Sequence, residues 1–148
     1  MKKIYLLITL LAVLTFTGCL DFGEDEETTT PTKDQVNRCR SEMYLKPSVK
    51  ITSLGFKLRG SGIDDAIWFK FKTDSANLAE IFDVATVDIS KFEDDFKFIY
   101  EMKELKWWDV ESKKLHGGQV SLPNARYMDV GAEKTEEGYV IYIMWFET

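Results

Sequence analysis

The run Tyr139–Phe146, YVIYIMWF, constrains the fold more than any other stretch of this chain. Side chains on a strand alternate between two faces. One set here is Tyr139, Ile141, Ile143 and Trp145, and the other is Val140, Tyr142, Met144 and Phe146. Both sets are apolar, so the strand is expected at the centre of a sheet, covered on both faces. Upstream, Met128, Val130 and Ala132 alternate, and the charged turn EKTEEG joins them to Tyr139 as a hairpin. A first hairpin is read over 49–72. Val49 and Ile51 alternate, the phase slips, and Leu54, Phe56 and Leu58 carry on, which calls for a bulge near Thr52–Ser53. After the turn RGSGIDD, Ile67, Phe69 and Phe71 alternate with Trp68, Lys70 and Lys72 as a half-buried strand.

Helical spacing is weaker. Asp34 can cap a helix to Tyr44, with Val36, Cys39 and Met43 on its inner face and Lys46-Pro47 as its stop. Asp74 or Ser75 can cap a second helix to about Asp83, with Leu78, Ile81 and Phe82 inward. Between Asp88 and Trp108 two periods compete. Ile89, Phe92, Phe96 and Ile99 fit a helix from an Asp88 cap, whereas Phe96, Phe98, Tyr100 and Met102 fit a strand; a helical turn followed by a strand is the reading adopted. Residues 109–126 read as loop. The expected class is α+β, an antiparallel sheet built from two hairpins with two or three short helices packed on it.

The chain has 148 residues, 45% hydrophobic and 30% charged, enough for a single core. Its net charge of −6 argues against a phosphate-backbone partner, so no nucleic acid is expected. One histidine and two cysteines point to no multi-histidine metal site and no disulfide scaffold.

Lys2 and Lys3 precede the apolar run Ile4–Phe16, whose 13 residues fall short of the roughly 20 that a bilayer span takes. A basic start, a short apolar run and a small-residue end are those of a secretory signal. Phe16, Thr17, Gly18 and Cys19 resemble the lipobox of bacterial lipoproteins, with Phe16 where leucine is usual. The resemblance implies cleavage between Gly18 and Cys19, a diacylglycerol thioether on the Cys19 sulfur and acylation of the new amino group, hence a membrane partner held through lipid. Two or three acyl chains make such attachment firm. Loss of Lys2 and Lys3 takes the charge from −6 to −8, so lipid and not basic residues must hold the protein to anionic headgroups. Leu20 after the cysteine, with aspartate only at Asp21, implies the outer membrane facing the periplasm in a two-membrane envelope.

Leu20–Lys33, LDFGEDEETTTPTK, carries the acids Glu24–Glu27 and little to bury. It reads as a solvated spacer; the Asp21, Asp25, Glu27 spacing lacks the glycine and terminal glutamate of a calcium loop. The expected organisation is a signal over 1–18, a lipidated cysteine and acidic tether over 19–33, and one domain over 34–148. Cys39 is expected to be a free buried thiol.

Motifs for catalysis, metals or cofactors are not legible. His116-Gly117-Gly118 lacks the G-x-S-x-G elbow that an esterase oxyanion loop accompanies. Aromatic residues make up 14% of the chain. The consecutive Trp107 and Trp108 cannot share a face on a regular element, so one is a candidate partner-binding surface. Two function classes follow. One is an interaction module (inhibitor, immunity or assembly-accessory type) for an envelope protein or a peptidoglycan or sugar ligand, with no enzymatic activity. The alternative is an envelope hydrolase using paired carboxylates among Asp64, Asp65, Asp94 and Asp95, which an open cleft with two facing carboxylates would support.

Overall fold

A computed structural model describes residues 25–61, 64–100 and 102–148; Gly18 and Cys19 lie outside them. The chain runs β1 (Glu26–Thr28), α1 (Lys33–Glu42), β2 (Thr52–Arg59), β3 (Ala66–Thr73), α2 (Leu78–Ile81), two 3-10 turns (Ile89–Lys91 and Val110–Ser112), β4 (His116–Leu122), β5 (Arg126–Thr135) and β6 (Gly138–Glu147). All pairings are antiparallel, in the order β1-β2-β3-β6-β5-β4. The architecture is α+β and mostly β, with a sheet larger than two hairpins.

β6 is central, as its two apolar faces require. On one face, Phe56, Ile67, Phe69, Phe71, Met128, Val130, Ile141, Ile143 and Trp145 pack against Cys39 and Met43 of α1 and against Leu78, Ile81 and Phe82 around α2. On the other, Trp68, Val140, Tyr142 and Met144 meet Phe98, Leu105, Trp108, Val110 and Leu115. No regular element supplies that second cover. Residues 93–100 and 102–115 do so as a strap that is irregular apart from the 3-10 turn at Val110–Ser112, and bulky aromatic side chains do the filling that a longer helix would otherwise do. Trp68 is buried beneath this strap, so β3 is covered on both faces at that point rather than half-buried.

Several expectations are corrected. The loop read over 109–126 contains β4, whose glycines and single histidine hide its pairing with β5. Among the described residues, 96–100 and 102 form no strand; of the reading adopted for 88–108, the Asp88-capped 3-10 turn at Ile89–Lys91 is present, Asp88 accepting from the Ser90 amide. The helix expected from Asp74 or Ser75 starts later, capped by Asn77. α1 is capped by Thr32, one side of a Thr32–Gln35 capping box, rather than by Asp34. The spacer is not wholly solvated, because Glu26, Glu27 and Thr28 pair with Leu58, Lys57 and Phe56. The bulge in β2 falls between Ser53 and Gly55. The expectation for Cys39 holds: it is a free, fully buried thiol, and burial pushes it up to about 12.

Candidate functional site

The strap is locked to the sheet by charge as well as by apolar packing. Lys70 of β3 donates from Nζ to Asp109 Oδ1 at 2.6 Å and to the Trp107 carbonyl at 2.9 Å. The buried Tyr142 of β6 donates from its hydroxyl to the same Asp109 oxygen at 2.9 Å. Burial pushes the Asp109 carboxyl up, but the hydrogen bonds from Lys70 and Tyr142 and the Lys70 charge outweigh it and hold it below the ordinary carboxylate value. The same burial, with Asp109 as acceptor, raises the Tyr142 phenol. Further along, Lys113 bridges to Glu133 at 3.0 Å, which raises the lysine. The Glu93 and Gly117 backbones exchange hydrogen bonds of 2.7 and 2.9 Å, tying the strap's start to β4.

Aromatic rings run edge-to-face along the strap: Phe96 on Phe98, Phe98 on Trp108, Trp107 on Trp108, and Trp108 on Tyr142, with centroids 5.1–5.8 Å apart. Trp107 and Trp108 are thus packing residues. Trp108 is buried and Trp107 half-buried on Gly55, so the exposed stacking indole expected from their adjacency is not formed. The Nε1 atoms of Trp68, Trp107 and Trp108 are buried without an acceptor.

What the strap does expose is its crest. Among the described residues, the exposed large apolar side chains are Val84, Ile99 and Tyr100, and the last two are adjacent, 69% and 54% accessible. Tyr100 stands edge-on to Phe146, and Phe146 stacks on its cross-strand neighbour Tyr127 at 5.6 Å. The result is a surface patch of one aliphatic and three aromatic side chains. Beneath it lies Asp129 of β5, with no accessible surface. Its Oδ1 accepts from Gln119 Nε2 at 3.0 Å, and Oδ2 has no partner. Burial raises this carboxyl above the ordinary value against the lowering effect of Gln119 and of the nearby Ile99 backbone. The crest is therefore seated on a buried acid.

Sequence reasoning singled out neither the crest nor Asp129. The signal present was the apolar Phe98–Tyr100 run between lysines and acids, which fitted helix and strand alike.

The candidate carboxylates fall into two separate groups. Asp64 and Asp65 lie in the β2–β3 turn, where Asp65 Oδ1 accepts from the Ser61 amide at 3.1 Å. Asp94 sits beside His116, Oδ1 to Nδ1 2.9 Å, and Asp95 lines the same open groove of about 430 Å³ with Lys114, Lys134 and Tyr139. The register Ala66–Phe146 and Phe71–Ile141–Ala132–His116 sets the two acidic pairs about 20 Å apart, five residues along the strands and three strands across. Among the described residues, no three His, Cys, Asp or Glu side chains are grouped to hold a metal.

The chain matches no known protein family, no curated protein and no solved structure.

Proposed function

We propose that this chain is an envelope lipoprotein, held to a membrane through Cys19, whose folded body docks a protein partner with the crest of its strap. One observation carries the docking reading: Ile99 and Tyr100 stand in solvent at the top of a segment whose other large apolar side chains are buried or half-buried. Adjacent exposed apolar residues rimmed by charge, here Lys97 and Lys103, are characteristic of interaction surfaces. The Phe146 ring, itself stacked on Tyr127, supports Tyr100 from the side, so little side-chain entropy is lost on contact. The lipobox at Phe16–Cys19 supports the anchor. Anchoring confines the body to a thin layer and raises its effective concentration toward membrane-bound partners.

The test places a photo-crosslinking residue at Tyr100 in the full chain, in its native envelope, and compares it with the same group at the exposed Ala85. A discrete protein adduct specific to position 100 is expected, lost in Tyr100-site protein that also carries Ile99→Ser. Identical adducts from both positions would remove the crest from consideration. Cys19→Ser should abolish fatty-acid labelling; retained labelling would remove the anchor.

The hydrolase reading keeps one supporting observation, the His116–Asp94 pair in its groove with Asp95. Dye release from labelled peptidoglycan by the native protein, abolished by Asp94→Asn, would favour it over docking.

A further inference from the structure

The two edges of the sheet are built differently. β1 has three residues, two of them glutamates, which is how natural sheets blunt an edge against pairing. β4 has seven residues, HGGQVSL, with no proline, carboxylate, lysine or arginine. Gly117 exchanges its backbone hydrogen bonds with Glu93, so it points away from β5. Alternation along an unbroken register makes Gln119 and Ser121 point the same way, while Gly118, Val120 and Leu122 bond to β5. Both outward residues are exposed. Among the described residues, the lane beside β4 is thus open over 119–122 and closed at one end by Glu93, with Lys91 and Phe92 packed against Gly118.

We propose that this lane is filled by β4 of a second copy of the chain, antiparallel about a two-fold axis through Val120. Three features select this occupant. First, only the register with Gln119 opposite Ser121 satisfies the open groups on both copies. A shift one way sets Ser121 opposite Gly117, already bonded to Glu93; a shift the other way sets Gln119 opposite Pro123, which has no N–H. Second, a strand entering the lane must stop where Glu93 lies. β4 stops there, because Leu122 is followed by the turn at 123–125, whose Asn124 and Ala125 take left-handed φ of 62° and 54° and lead the chain back into β5. Third, β4 brings no aspartate, glutamate, lysine or arginine to the seam, and setting Val120 against its own copy extends the apolar face of the sheet. A strand pair of this length buries little surface, so the association is weak in solution and is favoured where copies are concentrated.

Central Val120 residues form a non-hydrogen-bonded pair, with Cα atoms about 4.5 Å apart, within disulfide range. The test oxidises full-chain Val120→Cys in membranes and reads disulfide-linked dimer on a non-reducing gel, above the yield of the unsubstituted chain. Adding Ser121→Pro, which removes an outward N–H that the monomer does not use, is expected to lower the dimer about tenfold. No dimer from Val120→Cys, or an equal yield with the proline, overturns the proposal. If Val120→Cys fails to fold, hydrogen exchange on the unsubstituted chain decides. The Gln119 and Ser121 amides should slow as concentration rises while the Val120 amide does not change, and concentration-independent exchange at all three overturns it.

Discussion

The six-membered ring of Trp107 occupies the space where residue 55 would carry a Cβ, so Trp107 and Gly55 fit together only because Gly55 has none. The bulge between Ser53 and Gly55 brings this bare backbone under the strap, and Lys70 then holds the Trp107 carbonyl. Gly55→Ala is therefore expected to lift the indole and destabilise the fold by about 1–3 kcal/mol, the usual cost of overpacking. Tryptophan emission should shift to the red and the urea midpoint fall. An unchanged midpoint would show that the strap yields without loss.

Asp129 gives the stability a dependence on pH of unusual sign. Its carboxyl is raised in the folded state by burial, so its favourable contribution is complete where the group is protonated, below the ordinary value of about 3.9, and is lost as pH rises through the folded value. Asp129→Asn keeps an oxygen for Gln119 and removes the charge. The variant should match the native protein near pH 4 and exceed it by about 1–3 kcal/mol at pH 7 in urea titrations. A variant less stable at pH 7 than at pH 4, relative to the native protein, would contradict this.

Asp109 behaves in the opposite sense. Its carboxyl is held below the ordinary value, so the stability it contributes is present above that value and lost as pH falls through the folded one. Tyr142→Phe removes one of its donors while Lys70 remains. The expected cost at pH 7 is about 1 kcal/mol, because the partly exposed carboxylate is screened by water. That cost should shrink in acid, and a cost independent of pH would place it in ring packing instead.

The two faces of β6 were legible because strict alternation of large apolar residues has one structural solution, and the β5–β6 hairpin followed from its charged turn. β4 was not legible, since its glycines carry no face preference and its pairing is dictated by β5. The strap was not legible either. It buries Phe98, Leu105, Trp108, Val110 and Leu115 from irregular backbone, and burial without a period leaves no pattern in the sequence. Of the candidate site, the tryptophans drew attention by their adjacency, but the same bulk that marked them is what the strap uses as filling. Ile99 and Tyr100, the pair left in water, had nothing to distinguish them from core residues.

Cys39 should be inert in the native state. Its thiol is fully buried and raised to about 12, and only the thiolate reacts with alkylating reagents. Iodoacetamide at pH 8 should leave the Cys39 peptide unmodified until urea reaches the unfolding transition, as mass spectrometry will read. Early modification would show that α1 opens locally.

The acidic segment before α1 belongs in part to the fold. Glu26, Glu27 and Thr28 pair with β2, Gln35 Nε2 donates to Glu26 Oε2 at 2.6 Å, and Thr32 caps α1 through its hydroxyl. A chain beginning at Asp34 loses all three and uncovers the outer edge of β2 over Phe56–Leu58. Loss of the cap alone costs about 1 kcal/mol, and exposing an apolar edge favours pairing between molecules. A chain beginning at Asp25 retains each contact. The shorter form is therefore expected to unfold at lower urea by about 1–3 kcal/mol and to associate on standing. Equal urea midpoints and equal sedimentation for the two forms would show that the segment contributes nothing beyond its charge.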